Sequence, residues 1–217
     1  MALSPSESRG APPAGGAPPL ESYDLFPTRI WQTRLAVLRP KLPEWVAWVH
    51  ALRAEYPEPA GRTNRNGWNS QDMTVLERPQ VAPLREVIRL SCERVLGEMG
   101  LGKQRFKLQS WVNLHDRGGF NYLHMHEGSL LSGTFYVQVP PRSGALVFRD
   151  PRAGVLHSSV KGPVPNGHSD IRLAPSDGLL VLFPSWMEHY VEPHDGDQAR
   201  ICIAFNANPV HDGEASA

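Results

Sequence analysis

Little in this chain leans toward one kind of partner. Its 217 residues carry 22 basic and 22 acidic side chains and no formal net charge, so electrostatics gives no reason to expect nucleic acid or an anionic membrane surface. Cysteine is nearly absent: Cys92 and Cys202 each stand alone in an apolar segment. That excludes a disulfide framework and fits a reducing, cytoplasmic setting. There is no run of 18 or more apolar residues, hence no expected membrane span. The N-terminus also lacks the basic-then-apolar pattern of a secretory leader. No internal repeat is evident. What the chain does have is length enough for one sizeable core.

Residues 2 to 20 are rich in Pro, Gly, Ala and Ser and cannot bury enough apolar surface to offset ordering, so they are expected to form a disordered tail. The last residues from about Asp212 are expected to fray. Leu42, Trp45, Val46, Val49 and Leu52 recur at helical spacing, with Pro43 tolerated in the first turn. A second stripe, Leu84, Val87, Ile88, Cys92, Val95 and Met99, predicts a helix from Pro83 to Met99, stopped by Gly100 and Gly102. Between them, 64–70 reads as a polar loop carrying Trp68. Beyond Gly102 the pattern changes to short β-rich runs at 106–114, 130–139, 145–148, 179–183 and 200–205, separated by Pro, Gly, Asn and Asp. Helices followed by strands predict an antiparallel barrel or sandwich with helices on one face.

Three histidines and an arginine carry the chemistry. His124 and His126 are separated by one residue, so on an extended strand both face the same side. His189 follows 63 positions later and Arg200 eleven after that. Imidazole binds iron, zinc, copper or nickel alike, so the histidines do not select the metal. A metal beside a fixed cation suits a small anionic cosubstrate, as in an iron-dependent oxygenase. The other histidines, His50, His115, His157, His168, His194 and His211, read as surface or loop residues.

His124-Met125-His126, with Leu131-Ser132-Gly133-Thr134-Phe135-Tyr136-Val137 after it, resembles the iron(II)- and 2-oxoglutarate-dependent dioxygenases. More narrowly, it is similar to a bacterial group of oxygenases related to prolyl hydroxylases. Leu25-Phe26-Pro27, Ser110-Trp111-Val112-Asn113, Phe148-Arg149-Asp150-Pro151-Arg152, Leu182-Phe183-Pro184-Ser185-Trp186 and the run from Arg200 to Asn206 fit the same pattern. The resemblance covers residues 22 to 209. It implies a mainly β fold with flanking helices (α+β), a double-stranded β-helix or cupin-like jelly-roll barrel. The expected organisation is a tail at 1–20 and one oxygenase domain at 21–211, with helices in 41–100 and the barrel mainly in 105–208. The implied cofactors are Fe(II), 2-oxoglutarate as cosubstrate, and dioxygen.

Carried over by position, His124 and His189 match the two constant iron-binding histidines, and His126 stands where an Asp or Glu is usual. Arg200 matches the residue that binds the far carboxylate of 2-oxoglutarate, a task its planar fork suits. Tyr136 is placed to hydrogen-bond the same carboxylate, and Asn113 to contact the cosubstrate end nearest the metal. Cys202 stands where a hydroxyl residue is usual, which implies a weaker contact. A third imidazole in place of a carboxylate leaves the iron one charge more positive, with Glu127 and Asp150 as fallback carboxylates. His126 is expected to ligate because it keeps the strand phase of His124.

Trp111, Arg152 and Trp186 are candidate substrate contacts, though the tryptophans also fit core or rim packing and Arg152 a turn paired with Asp150. Gly118-Gly119 with Asn121 reads as a flexible loop, a lid or a plain hairpin turn. The implied reaction is oxidative decarboxylation of 2-oxoglutarate coupled to hydroxylation, or a related C–H oxidation, of a small molecule, amino acid or peptide, in a protein that could form a homodimer. Two alternatives stay open. One is a three-histidine cupin-type dioxygenase without 2-oxoglutarate, suggested by the spacing Gly178, Pro184, His189. It lacks the usual Glu, since Ser129, Leu130 and Leu131 stand at those positions. The other is a non-catalytic barrel acting as a binding module.

Overall fold

The computed structural model describes residues 21, 23, 25–160, 162 and 169–210. The expected tails at 2–20 and 212–217, and His168 and His211, lie outside the described residues. In chain order the elements are β1 (Trp31–Arg34), α1 (Leu42–Glu55), β2 (Asn64–Asn69), α2 (Ala82–Glu98), β3 (Phe106–His124), β4 (Leu131–Gln138), β5 (Leu146–Arg149), β6 (Asp170–Leu173), β7 (Leu179–Pro184), β8 (His189–Val191) and β9 (Arg200–Pro209). No helix among the described residues is long and apolar enough to cross a membrane.

The strands form one curled antiparallel sheet in the order β1-β7-β4-β9-β3-β8-β5-β6, with β2 also paired to β3. This is a double-stranded β-helix with two helices against it. Alternation along each strand sorts side chains to two sides of the sheet. Ile201, Ile203, Phe205 and Ala207 of β9 join Val112 and Leu114 of β3 and Leu131, Phe135 and Val137 of β4 in a core shared with the helices. From α1 come Leu42, Trp45, Val49 and Leu52, and from α2 Leu84, Ile88, Cys92, Val95 and Leu96; of the two predicted stripes Val46, Val87 and Met99 are only partly buried, and Leu96 joins unpredicted. Trp45 meets Phe135 edge-on at 5.9 Å and donates its indole N–H to the Gln80 carbonyl at 2.9 Å. Inside the barrel a second cluster gathers Tyr136, Leu146, Phe148, Val181, Phe183 and Cys202.

Two expectations fail here. Residues 64–69 are not a loop but a strand, β2, paired with the second half of β3. Their polar side chains conceal it, because neither periodicity nor β-branching marks the segment. Nor do Gly118 and Gly119 form a lid or hairpin, since β3 runs unbroken from Phe106 to His124. Opposite Arg65 and Gly67 its register jumps from Phe120 to His115, a bulge that bends the strand. Gly118 sits at φ +78°, and a Cβ on Gly119 would come within 2.8 Å of the Asn66 carbonyl. The glycines therefore serve a bend within a strand rather than a flexible connection. Three short strands, β1, β6 and β8, carry too few residues to show a period.

Candidate metal centre and anion pocket

The bent β3 delivers His124 to its very end, where it pairs directly with His189 at the start of β8. Their ring centroids are 4.3 Å apart. His126 arrives by another route than the strand phase predicted, because β3 has already ended. Its backbone N–H donates to the Ser185 carbonyl at 2.9 Å, which turns the ring back to 5.0 Å from His124 and 5.2 Å from His189. One potential ligand atom from each of the three lies within 4.8 Å of the others, and no other group of three such residues occurs among the described residues. Neither fallback carboxylate joins them: Glu127 is exposed and Asp150 is paired to Arg152 at 2.7 Å.

The protonation states fit a cation. Burial drives the His189 pKa down to about 3 and that of His126 to about 4, and lowers that of His124, so all three imidazoles are neutral at pH 7. His124 and His189 each place Nδ1 near the carbonyl two residues back, Tyr122 at 2.7 Å and Met187 at 2.8 Å. A carbonyl only accepts, so Nδ1 carries the proton and Nε2 presents a lone pair. His126 differs: its Nδ1 lies 3.2 Å from Nδ2 of the Asn206 side-chain amide, whose Oδ1 accepts from the Ser132 hydroxyl at 2.8 Å. With the amide oxygen toward the ring, Nδ1–H donates and Nε2 is free for a metal. With the amide nitrogen toward it, the proton moves to Nε2 and closes that position.

Arg200 is the second pole. It opens β9 opposite His115, with Cys202 opposite both Asn113 and Tyr136, so register alone brings these residues together. The guanidinium is 1 % exposed, and among the described residues no acidic side chain pairs with it. Its Nη1 donates to Nδ1 of His115 at 3.3 Å and lies 3.8 Å from Cys202 Sγ, and its Cζ is 5.1 Å from the Tyr136 ring centroid. His115 is thus no surface residue: it is fully buried and pushed down to about 3, first by burial and then by Arg200. His194, also read as a loop residue, is fully buried, with Nε2 2.7 Å from the Gln198 carbonyl. Arg200 Nε, the Tyr136 hydroxyl, Asn113 Oδ1 and Thr134 Oγ1 are buried without hydrogen-bond partners.

The three histidines and Arg200 line one pocket of about 300 Å3, together with Asn113, Tyr136, Cys202 and Trp111. Among the described residues no Asp or Glu lines it. Of the weaker substrate candidates, Trp111 faces His126 at 5.7 Å. Trp186 is half exposed and Arg152 is tied to Asp150, and neither lines the pocket. Sequence reasoning missed Asn206, Thr134, Gln109 and Arg62 among the lining residues. Stepping by two from Arg200 along β9 reaches Asn206, and stepping back by two from Asn113 along β3 reaches Gln109. Arg62 lies outside any strand and gave no such signal.

Residues 109–206 match the family described as "Putative 2OG-Fe(II) oxygenase". No curated protein matches the chain. Solved structures do. A prolyl-4-hydroxylase from Pseudomonas putida aligns at 16 % identity and TM-score 0.62, covering 85 % of this chain and 94 % of its own. HygX from Streptomyces hygroscopicus, solved with nickel and 2-oxoglutarate, aligns at 13 % and 0.57, covering 84 % and 83 %. A prolyl hydroxylase from Trichoplax adhaerens, in complex with a peptide fragment, aligns at 14 % and 0.56, covering 83 % of each chain. At such identities the likeness establishes the double-stranded β-helix.

Proposed function

We propose that the chain, whose residues 109–206 match the 2OG-Fe(II) oxygenase family, is an iron(II)- and 2-oxoglutarate-dependent dioxygenase with three histidine ligands, acting as one domain over residues 21–211. One observation carries this reading: a fully buried guanidinium, with no acidic partner among the described residues, shares one pocket with three neutral imidazoles. A buried charge is costly unless paired, and a dicarboxylate spanning the two poles would supply the missing anion.

On this reading His124, His126 and His189 hold iron(II), which, bound with 2-oxoglutarate and dioxygen, supplies oxidative decarboxylation to succinate and carbon dioxide coupled to C–H oxidation of a substrate. Arg200 grips the far carboxylate with its fork, and His115, which can only accept from it, fixes the fork's orientation. The Tyr136 hydroxyl, its pKa pushed up to about 12 by burial, stays protonated and donates to the same carboxylate. Cys202 flanks that contact and Asn113 meets the cosubstrate's metal end. With its amide turned so that the oxygen faces the ring, Asn206 would hold the His126 proton on Nδ1 and leave Nε2 for the metal. Arg200 and Tyr136 are buried in the sheet, so contacts to them act at lower dielectric than in water. Small molecules, amino acids and peptides all fit as substrate classes.

The test is an anaerobic titration of the Fe(II) protein with 2-oxoglutarate. A weak visible charge-transfer band is expected, lost in Arg200→Ala while iron binding persists. Iron binding with no response to 2-oxoglutarate would instead point to a cupin-type dioxygenase, a reading that leaves Arg200 without a counterion.

A further inference from the structure

A second guanidinium lines the same pocket. Arg62, just before β2, is half-buried, and its Cζ lies 5.6 Å from the Trp111 ring centroid. Trp111 in turn lies 5.7 Å from the His126 ring, so a single aromatic side chain stands between Arg62 and the metal cluster. Its hydrogen-bond partners are weak for a group with five donors: the Ser70 carbonyl at 3.4 Å and the Met73 thioether. Asp72, close by in sequence, is committed to Arg78 at 2.8 Å. Among the described residues Arg62 has no ion pair.

The charge balance of the pocket points the same way. Iron(II) and the 2-oxoglutarate dianion would cancel, the three imidazoles are neutral, and among the described residues no carboxylate lines the walls. With both bound, the two guanidiniums would leave the pocket a net positive charge, and only Arg200 would be engaged by the cosubstrate. A carboxylate in place of His126 would have removed one of these charges. Burial of Arg62 raises the cost of leaving it unpaired.

We propose that Arg62 is a second anion site, and that the substrate is a small molecule bearing a carboxylate or phosphate group held by Arg62 against the face of Trp111. This rests on the function proposed above, with Arg200 already engaged by 2-oxoglutarate.

The experiment uses the full chain loaded with Ni(II), which fixes the metal without turnover, and saturated with 2-oxoglutarate. Acetate and inorganic phosphate are then titrated calorimetrically. One further equivalent of anion is expected to bind, with affinity at least roughly tenfold lower in Arg62→Gln, a 1.4 kcal/mol change, and partly retained in Arg62→Lys. Unchanged 2-oxoglutarate affinity and melting temperature in both variants would show that the pocket is intact. Acetate binding alone assigns a carboxylate substrate, and phosphate binding alone a phosphate ester. The proposal is overturned if neither anion binds to the loaded protein, or if binding survives Arg62→Gln unchanged. Should 2-oxoglutarate itself fail to bind, the function proposed above falls. The Arg62 site is then judged by the same anion titration in Arg200→Ala against Arg200→Ala with Arg62→Gln, where an equal response in the two overturns it.

Discussion

Along β9, odd and even residues meet different surroundings. Ile201, Ile203, Phe205 and Ala207 are buried among the side chains of α1 and α2, while Arg200, Cys202, Ala204 and Asn206 line the pocket. The odd side is apolar and close-packed. The even side holds a buried cation, and around it the Tyr136 hydroxyl, Asn113 and Thr134 have buried atoms without partners. One strand thus divides stability from function by parity. The apolar side contributes favourable burial, whereas the pocket side carries desolvation cost that only a ligand relieves.

That contrast is broken most directly by paired substitutions on neighbouring sides. Phe205→Ala removes a fully buried ring from the helix-facing core and is expected to cost about 3–5 kcal/mol of stability, measured by urea unfolding, with 2-oxoglutarate affinity of the folded protein little changed. Arg200→Met is expected to do the reverse. Removing a buried, unpaired charge leaves the apo protein at least as stable, while 2-oxoglutarate binding loses about 2–5 kcal/mol. A large stability loss in Arg200→Met would mean that the guanidinium holds the fold and not a ligand.

The same parity explains what was legible in the sequence. Both helix stripes, the strands β3, β4, β5, β7 and β9, and the convergence of His124, His189, Arg200 and Tyr136 could be read, because each rests on a period or on a family motif. β2 was not legible: Asn64-Arg-Asn-Gly-Trp-Asn has no apolar alternation, and its pairing with the bent part of β3 depends on tertiary contact. The bend was misread because Gly-Gly favours turns and bulges alike. His115 escaped notice because a lone histidine beside Asp116 and Arg117 looks solvent-facing, yet strand register sets it opposite Arg200. His126 was expected in the right cluster for the wrong reason, since its placement comes from the Ser185 carbonyl.

Asn206, on the pocket side, sharpens the comparison through another residue. Asn206→Ala removes the partner that can hold the His126 proton on Nδ1 and is expected to weaken Fe(II) binding about 10- to 100-fold. Asn206→Asp, which can only accept, is expected to retain or tighten it. The readout is the metal dissociation constant at fixed pH, with melting temperature as control. Equal weakening in both variants would remove Asn206 as a positioning residue.

The smallest effect is expected at Tyr136, whose ring belongs to the packed interior of the barrel and whose hydroxyl belongs to the pocket. Tyr136→Phe keeps the ring against Val181, Phe183 and Cys202 and deletes a buried oxygen that has no protein partner. Without ligand, that deletion removes a desolvation cost, so the apo protein is expected to be as stable as before or slightly more so. With 2-oxoglutarate it removes one donor, and affinity is expected to fall by about 0.5–1.5 kcal/mol. Because burial holds the phenol pKa at about 12, the hydroxyl stays protonated throughout the neutral range, and the loss should be the same at pH 6 as at pH 8. Calorimetric titration at both pH values decides between the two roles. A loss of stability without a change in 2-oxoglutarate affinity would make Tyr136 a packing residue only, and the parity rule would then fail at β4.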